Sequence, residues 1–275
     1  MEYVRKITKI TTQKKHKNRF NIFLNTKQGE EYGFSVDEAI LIEYRLRKGM
    51  ELDGEMIATL VENDTVHKSY TQVIHFLSYR MRTKKEIRDY LVKKEVDPEH
   101  IEQIMKRLIN EKLIDDQQFA HFFVQSRINT TTKGPVLIKK ELIDKGVLAQ
   151  QAELALENYP LDIQLEKIKK HIQKKLNTGK KEAFRKKIQQ LQANLIQKGF
   201  TQDAITKALA SMEEGKDQSE EWDALVFQGE KLLRKYQSKH EGFALRQKMT
   251  ESLYRKGFSF ELINQFLDGK KQDYQ

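Results

Sequence analysis

The fold of this chain is decided by a short stretch that recurs along it, Leu142-Ile143-Asp144-Lys145-Gly146-Val147, with Ala152 and Leu156 after it. Two further copies and a divergent upstream copy are Leu195-Ile196-Gln197-Lys198-Gly199-Phe200, Leu253-Tyr254-Arg255-Lys256-Gly257-Phe258 and Leu91-Val92-Lys93-Lys94-Glu95-Val96. The copies follow one another at about 50 to 60 residues, and self-similarity at such a period is typical of stacked helical modules.

Each copy predicts the end of one helix and the start of the next. The lysine suits the negative end of the helix dipole, and the glycine after it can take the left-handed conformation that closes the last turn. Thr201 and Ser259 are then placed to cap the following helices. One Lys-Gly pair indicates only a helix stop, so the recurrence carries the prediction of repeats. Glu95 stands where the other copies have glycine, which predicts a differently shaped helix end.

Composition favours an elongated, mostly helical protein of small modules. Of 275 residues, 38% are hydrophobic and 33% are charged, with 3 prolines and 13 glycines. The absence of cysteine excludes disulfides and thiolate metal sites and favours a cytoplasmic location. No apolar run approaches the roughly 20 residues of a membrane span, and the charged N-terminal segment does not resemble a signal peptide. The net charge of +10 indicates an acidic partner, with nucleic acid first and an acidic protein groove second.

Residues 1–66 predict a separate, small α/β domain. Phe20, Ile22 and Leu24 alternate on one face, as in a half-buried strand. Ser35 or Asp37 is placed to cap a helix that continues through Leu46 and stops at Lys48-Gly49. Further strands are predicted over 4–10 and 31–36, and a basic tip before the Phe20 strand consists of Lys14, Lys15, His16 and Lys17.

The rest of the chain predicts four helical repeats. Their boundaries are placed at 67–114, 115–160, 161–214 and 215–275. In the first repeat, Thr83 and Glu86 predict a capping box, and Asp97-Pro98 opens the next helix. The polar, acidic stretch from Ser211 to Glu221 predicts a linker, and the tail from Asp268 is predicted to fray.

No residue pattern indicates catalysis. The chain has no glycine-rich phosphate loop, no serine in a strained glycine-flanked turn and no histidine pair at metal-ligand spacing. Asp115 and Asp116 resemble an acidic pair, but adjacent carboxylates at the start of a helix are more often caps. The sequence therefore predicts a protein that is not an enzyme, with no catalytic residues, no metal site and no cofactor.

Basic charge is concentrated in two stretches. Residues 68–94 carry a net charge of about +6 and residues 161–199 about +8, so the remainder is acidic. Each stretch alone is typical of the solvated face of a helix. Their placement in separate repeats, however, predicts one basic surface that contacts phosphates or an acidic groove. Phe119, Phe122 and Phe123 predict a core stripe rather than a base-stacking platform, with Tyr79 and Tyr90, which lie beside basic residues, as exceptions.

The densest motifs lie between Arg80 and Leu156, and there the chain resembles the RecX family of regulators of the RecA recombinase. The matching residues are Arg80-Met81-Arg82-Thr83 with Glu86-Ile87 and Leu91; Leu113-Ile114-Asp115-Asp116 with Phe119-Ala120, Phe123-Val124 and Ser126-Arg127; and Lys133-Gly134-Pro135 with Ile138, Glu141-Leu142, Lys145-Gly146 and Ala155-Leu156. The N-terminal domain and the fourth repeat make the chain similar to a longer form of this family.

The resemblance implies a mainly α fold: tandem three-helix bundles in an elongated, curved array, preceded by the small α/β domain. It also implies a non-enzymatic monomer that binds the RecA–single-stranded DNA filament, with double-stranded DNA as a further phosphate partner. Binding would lower ATP hydrolysis, strand exchange and co-protease activity and so modulate DNA repair and the SOS response. The predicted contact residues are Arg80, Arg82, Lys84, Lys85, Arg88, Arg127, Lys133, Lys139, Lys140, Lys174, Lys175, Lys180, Lys181, Arg185, Lys186 and Lys187.

Two other classes of function stay open from the sequence. A sequence-specific DNA-binding regulator would place a recognition helix of one three-helix unit in the major groove, with Gln189, Gln190 and Gln192 as candidate base contacts. A pure protein-interaction scaffold would show no affinity for DNA even at low salt.

Overall fold

The computed structural model describes residues 4–176, 181–211 and 218–270, and its chain divides into two compact units, Met1–Phe119 and Ala120–Gln275. The strands are β1 (Arg5–Thr12), β2 (Arg19–Thr26), β3 (Gly29–Asp37) and β4 (Glu51–Leu52). The helices are α1 (Glu38–Glu43), α2 (Gly54–Ser78), α3 (Lys84–Lys93), α4 (Pro98–Asn110), α5 (Asp116–Thr130), α6 (Pro135–Asp144), α7 (Ala149–Leu156), α8 (Leu161–Leu176), α9 (Phe184–Gln197), α10 (Gln202–Ala210), α11 (Gln218–Tyr236), α12 (Gly242–Arg255) and α13 (Phe260–Gly269).

The first unit begins with a four-stranded antiparallel sheet in the order β3-β2-β1-β4. Ile22 and Leu24 point into the core, as their alternation predicts, and Ile7 joins them from β1. The short edge strand β4 was not predicted. It pairs with β1 through Arg5 and Leu52, so that the chain after α1 returns to the sheet.

Helix α1 is shorter than predicted. It is capped by Asp37, whose side chain accepts the Ala39 N–H, but it ends at Glu43 rather than continuing through Leu46. Arg45 adopts a left-handed φ of 48°, and the next N–H, that of Leu46, donates to Leu41 O. This early turn buries Leu46 in the core of the sheet domain and leads the chain toward β4, so tertiary packing outweighs the local helical pattern.

Helix α2 is the largest difference from the sequence prediction. It is one 25-residue helix, capped by Asp53, and the predicted domain boundary at 66/67 lies inside it. Its N-terminal half buries Leu60 in the sheet core, and its C-terminal half buries Val73 against α3 and α4. One helix therefore belongs to both the N-terminal domain and the first three-helix bundle. No change in composition along the sequence indicates this continuity.

Helices α8 to α13 form two further three-helix groups, and the predicted mainly α fold is confirmed. In the second unit, α8 packs with α9 and α10, and α11 packs with α12 and α13. The last group has its own core, which includes Leu225, Met249 and Phe266. The predicted caps Thr83, Asp97, Thr201 and Ser259 all accept backbone N–H groups at the starts of their helices. Repeat boundaries and the curvature of the array stay predictions.

Two segments that were predicted to be irregular overlap with helices at their described ends. Residues 212–217 of the proposed linker lie outside the described residues, but 218–221 form the first turn of α11. The acidic side chains of Glu220 and Glu221 favour that turn because they lie at the positive end of the helix dipole. The predicted frayed tail is helical to Gly269, and Asp268 is held by an ion pair of 3.0 Å with Arg246; residues 271–275 lie outside the described residues.

The recurring Lys-Gly stretches end their helices in one geometry. The glycine of each has a positive φ, for example 87° at Gly146 and 86° at Gly199. Its N–H donates to the carbonyl three residues back, and the next N–H donates to the carbonyl five residues back, as at Val147 and Leu142. The prediction that Glu95 makes a different end is wrong: Glu95 has a φ of 57°, and the Val96 N–H donates to Leu91 O.

Glu95→Gly is expected to raise the free energy of unfolding of the first unit. A left-handed conformation costs an L-residue about 1 to 2 kcal/mol. Glycine avoids this cost but lowers the stability by about 0.4 to 1 kcal/mol through the greater entropy of the unfolded chain. The free energy of unfolding measured in urea should therefore rise by about 0.5 to 1 kcal/mol. Lys94→Gly is the matched control, because Lys94 has a φ of −89° and gains nothing from glycine. A loss of stability in both variants would contradict the argument.

Candidate functional site

The structure describes fifteen of the sixteen predicted contact residues; Lys180 lies outside the described residues. Within the described ranges, no group of three or more His, Asp or Glu side chains could hold a metal ion. In the same part of the chain, every helix is too short or too polar to cross a membrane. The predicted cations fall into three groups, which lie at the start of α3, around α6, and from the end of α8 to the first turns of α9.

The first group surrounds the start of α3. The capping box of Thr83 and Glu86 forms as predicted. Arg80 lies against it, with its guanidinium 3.0 and 3.1 Å from the two Glu86 carboxylate oxygens. Arg88, on the next turn, makes an ion pair with Glu102 on α4. Because Arg88 and Glu102 are both exposed, this pair adds at most about 1 kcal/mol and is easily exchanged for another anion.

Arg82 is held by aromatic rings rather than by a carboxylate. Its guanidinium lies 3.8 Å from the centre of the Phe76 ring, which stacks in turn on Tyr90 at 4.2 Å. Its Nε atom is buried without a hydrogen-bond partner among the described residues. Burial and the neighbouring charge of Arg80 lower the pKa of Arg82. Tyr90 is thus part of an aromatic stack, whereas Tyr79 is 71% exposed and contacts His75.

Asp115 and Asp116 both act as caps, but on different helices. The Asp115 carboxylate accepts the Gln117 and Gln118 N–H groups at the start of its own helix, as predicted. Asp116 is buried, and its carboxylate accepts the Lys84 N–H at 2.9 Å, so it caps α3 instead. Burial raises the pKa of Asp116, while the hydrogen bond from Lys84 opposes that rise.

The second group converges on one carboxylate of α6. Glu141 accepts a hydrogen bond of 2.8 Å from Arg127 Nε and a second one from the Lys133 ammonium. Burial alone would raise the pKa of Glu141, but these two cations outweigh it and lower the pKa. Lys139 makes a further ion pair with Glu153. Lys140 is exposed, and no carboxylate in the described residues lies within ion-pair distance of it.

The aromatic residues of α5 do not form one core stripe. Phe119 is buried, but Phe122 is 58% exposed. Phe123 is half-buried and lies beneath Arg127, whose guanidinium is 4.5 Å from the ring centre. The prediction is therefore wrong for Phe122, because one residue of a helix turns the side chain by about 100° away from the buried face.

The third group spans the end of α8 and the first turns of α9. Lys174 and Lys175 are exposed in the last turn of α8. Lys181 lies over the Phe227 ring of α11 at 4.3 Å. The cations that follow the first residue of α9 are Arg185, Lys186 and Lys187.

Glu221 caps α9 from the following helix. Its buried carboxylate accepts the Phe184 N–H at 2.8 Å. Asp116 does the same for α3, so the first helix of one repeat caps the second helix of the repeat before it at both places. Sequence reasoning missed both roles, since neither carboxylate is near its partner along the chain.

Four family models match the chain. They describe the regulatory protein RecX N-terminal domain, over 5–53, and the first, second and third three-helix domains of RecX, over 70–108, 115–156 and, twice for the third, 162–209 and 219–267. Regulatory protein RecX of Oceanobacillus iheyensis is 58% identical over 98% of this chain and 100% of the relative. The chain belongs to the RecX family.

Other RecX relatives agree with this assignment. Regulatory protein RecX of Bacillus cytotoxicus is 42% identical over 97% of this chain and 98% of the relative. A crystal structure of regulatory protein RecX matches with a TM-score of 0.66 and 35% identity, covering 74% of this chain and 99% of the solved one. A RecX structure from Lactobacillus salivarius gives a TM-score of 0.54 at 32% identity, over 55% of this chain and 98% of the solved one. The two relatives and the first of these structures are named regulatory proteins, which supports a regulatory role.

Proposed function

We propose that this RecX-family chain is a cytoplasmic, monomeric, non-enzymatic inhibitor of RecA. It binds the RecA–single-stranded DNA filament through its helical repeats, contacts DNA phosphates there, and lowers ATP hydrolysis, strand exchange and co-protease activity. DNA repair and the SOS response are modulated in consequence. Double-stranded DNA binds through the same phosphate contacts.

The observation that carries the proposal is the pair of cationic first turns on α3 and α9. Lys84 and Lys85 open α3, and Arg185, Lys186 and Lys187 follow the first residue of α9. Cations at the positive end of a helix dipole disfavour the helix by about 0.3 to 1 kcal/mol each. This position is unfavourable for the helix dipole, and a polyanionic partner gives a physical reason for it.

The two capping carboxylates support a ligand role for these turns. Asp116 and Glu221 accept the first N–H of α3 and α9, so this one group of each helix start is satisfied without a ligand. The backbone of each start is therefore held by the fold itself. Repetition of the arrangement in two repeats lets weak contacts add along a filament.

The test is RecA ATPase activity on single-stranded DNA, with and without the purified chain. A variant carrying Lys84→Gln, Lys85→Gln, Arg185→Gln and Lys187→Gln should need at least about tenfold more protein for half inhibition, equivalent to about 1.4 kcal/mol. The matched control replaces the exposed lysines Lys106, Lys207 and Lys231 and the loop residue Lys239 by glutamine. It removes the same charge away from the two turns and should inhibit like the wild type.

Three outcomes would count against the proposal. If the first variant inhibited RecA fully, the two turns would be excluded as contact sites. If both variants inhibited RecA equally weakly, the effect would be one of net charge alone. A wild-type chain that leaves the ATPase unchanged would overturn the inhibitory function. If that chain also preferred one duplex sequence to random duplex at fixed salt, the exposed Gln189 and Gln190 of α9 would instead favour the sequence-specific regulator.

A further inference from the structure

A cationic cleft lies in the first unit, apart from the sixteen predicted contact residues. It has a volume of about 660 Å³ and lies between the connection from β1 to β2 and the middle of α2. The connection contributes Lys15 and Lys17, and α2 contributes Lys68 from the opposite side. The volume falls within the usual range of ligand sites, about 300 to 1,000 Å³.

The cleft carries an uncompensated positive charge. Lys15, Lys17 and Lys68 are exposed, and no carboxylate in the described residues lies within ion-pair distance of any of them. The single carboxylate among the lining residues is Asp37, which already accepts the Ala39 N–H at 3.1 Å and lies 3.3 Å from His67. Three ammonium groups on two facing elements therefore face solvent with no anion of the described chain to neutralise them.

The floor of the cleft is a buried network that fixes its two sides. Asp64 of α2 is 7% exposed and accepts hydrogen bonds of 2.7 and 3.3 Å from the Arg19 guanidinium of β2. It also accepts the Asp37 N–H at 2.7 Å. Arg19 is thereby neutralised within the fold, and the lysines are left to act on a ligand. Because α2 and the sheet are joined here, the spacing between Lys68 and the connection is set before any ligand binds.

We propose that this cleft binds the phosphate backbone of a nucleic acid. The three cations are lysines, which act as point charges toward phosphate oxygens, and several such charges in one cleft match the polyanionic backbone of a nucleic acid. Gln72 of α2 adds a neutral hydrogen-bond donor. Among the described residues, no aromatic side chain other than His16 lines the cleft, so the contacts expected are to phosphates rather than to stacked bases. The site belongs to the sheet domain and does not depend on the inhibition of RecA.

The experiment measures binding of the full chain to labelled DNA without RecA, by fluorescence anisotropy over a series of salt concentrations. The test variant is Lys15→Gln with Lys17→Gln and Lys68→Gln. The control variant is Lys6→Gln with Lys27→Gln and Lys48→Gln, three exposed lysines of the same domain outside the cleft. Both remove three charges, and circular dichroism checks that both fold. A single-stranded arm and a duplex arm distinguish the two sources of phosphodiester.

The test variant should lower the slope of log K against log salt by about 2 on single strands, or by nearly 3 on duplex, relative to the wild type and control. The arm in which this slope falls, single-stranded or duplex, identifies the form of DNA that occupies the cleft. An unchanged slope in both arms overturns the proposal, as does an equal fall in the two variants. Unchanged DNA binding with weaker binding to the RecA filament also overturns it and assigns the cleft to an acidic protein surface. Failure of RecA inhibition by the wild type leaves this measurement unaffected.

Discussion

Gly134→Ala is expected to lower the free energy of unfolding of the second unit by about 3 kcal/mol. A Cβ atom at this position would lie 2.3 Å from the carbonyl carbon and oxygen of Gly199 and 2.4 Å from the Phe200 nitrogen. These are backbone atoms, so no side chain can move aside and α6 must separate from the end of α9. Separation would also break the hydrogen bond of 2.7 Å from the Gly134 N–H to Lys198 O.

Urea unfolding followed by the fluorescence of the single tryptophan, Trp222, measures the effect in the second unit. Gly269→Ala is the matched control, because a Cβ atom there meets nothing within 4 Å. It should change the stability by no more than about 0.5 kcal/mol. If the Gly134→Ala variant were as stable as the Gly269→Ala variant, the result would contradict the close packing of the two repeats at Gly134.

Asp64→Ala is expected to cost the first unit about 3 kcal/mol. The substitution leaves the Arg19 guanidinium and the Asp37 N–H without the acceptor that now holds both. Side-chain exposure is 10% at Asp64 and 25% at Arg19, so water replaces the lost partner poorly. Asp64→Asn keeps an acceptor but loses the charge, and it should fall between the alanine variant and the wild type.

Amide hydrogen exchange of β2, β3 and α2 checks this prediction, because it reports the opening of the sheet domain by itself. Thr65→Ala is the control on the adjacent residue, whose exposed hydroxyl bonds only to Val61 O of its own helix. Equal protection in Asp64→Ala and Thr65→Ala would show that the network adds nothing to stability. It would also remove the argument that the spacing of the cleft is set in advance.

The glycines at the recurring helix ends also allow close packing between repeats, which the sequence did not indicate. The end of α9 at Gly199 lies on the start of α6, and its carbonyl accepts the Val136 N–H at 3.0 Å. Similarly, a Cβ atom at Gly257, at the end of α12, would lie 3.3 Å from the Lys186 nitrogen in α9. The glycine that stops one helix therefore also lets it approach the previous repeat, and repeat spacing and repeat packing depend on the same residue.

Local features were predictable from the sequence because their causes lie within a few residues. The capping box at Thr83, the caps at Thr201 and Ser259, and the glycine stops each need partners three to five residues away. The alternation of Ile22 and Leu24 likewise shows the buried face of a strand. The repeated helical modules follow from these elements and their period. The three-helix arrangement was implied by the resemblance to RecX, which rested on motifs of the same short range.

Tertiary structure alone decided the features that join distant segments. Arg45 and Glu95 take left-handed conformations that bring the next residue, Leu46 or Val96, against a hydrophobic core. Asp116 and Glu221 cap helices 32 and 37 residues away, and Asp64 joins two strands to α2. Sequence spacing cannot indicate such pairs, because the free energy of burying a charge depends on which partner the fold brings within hydrogen-bond distance.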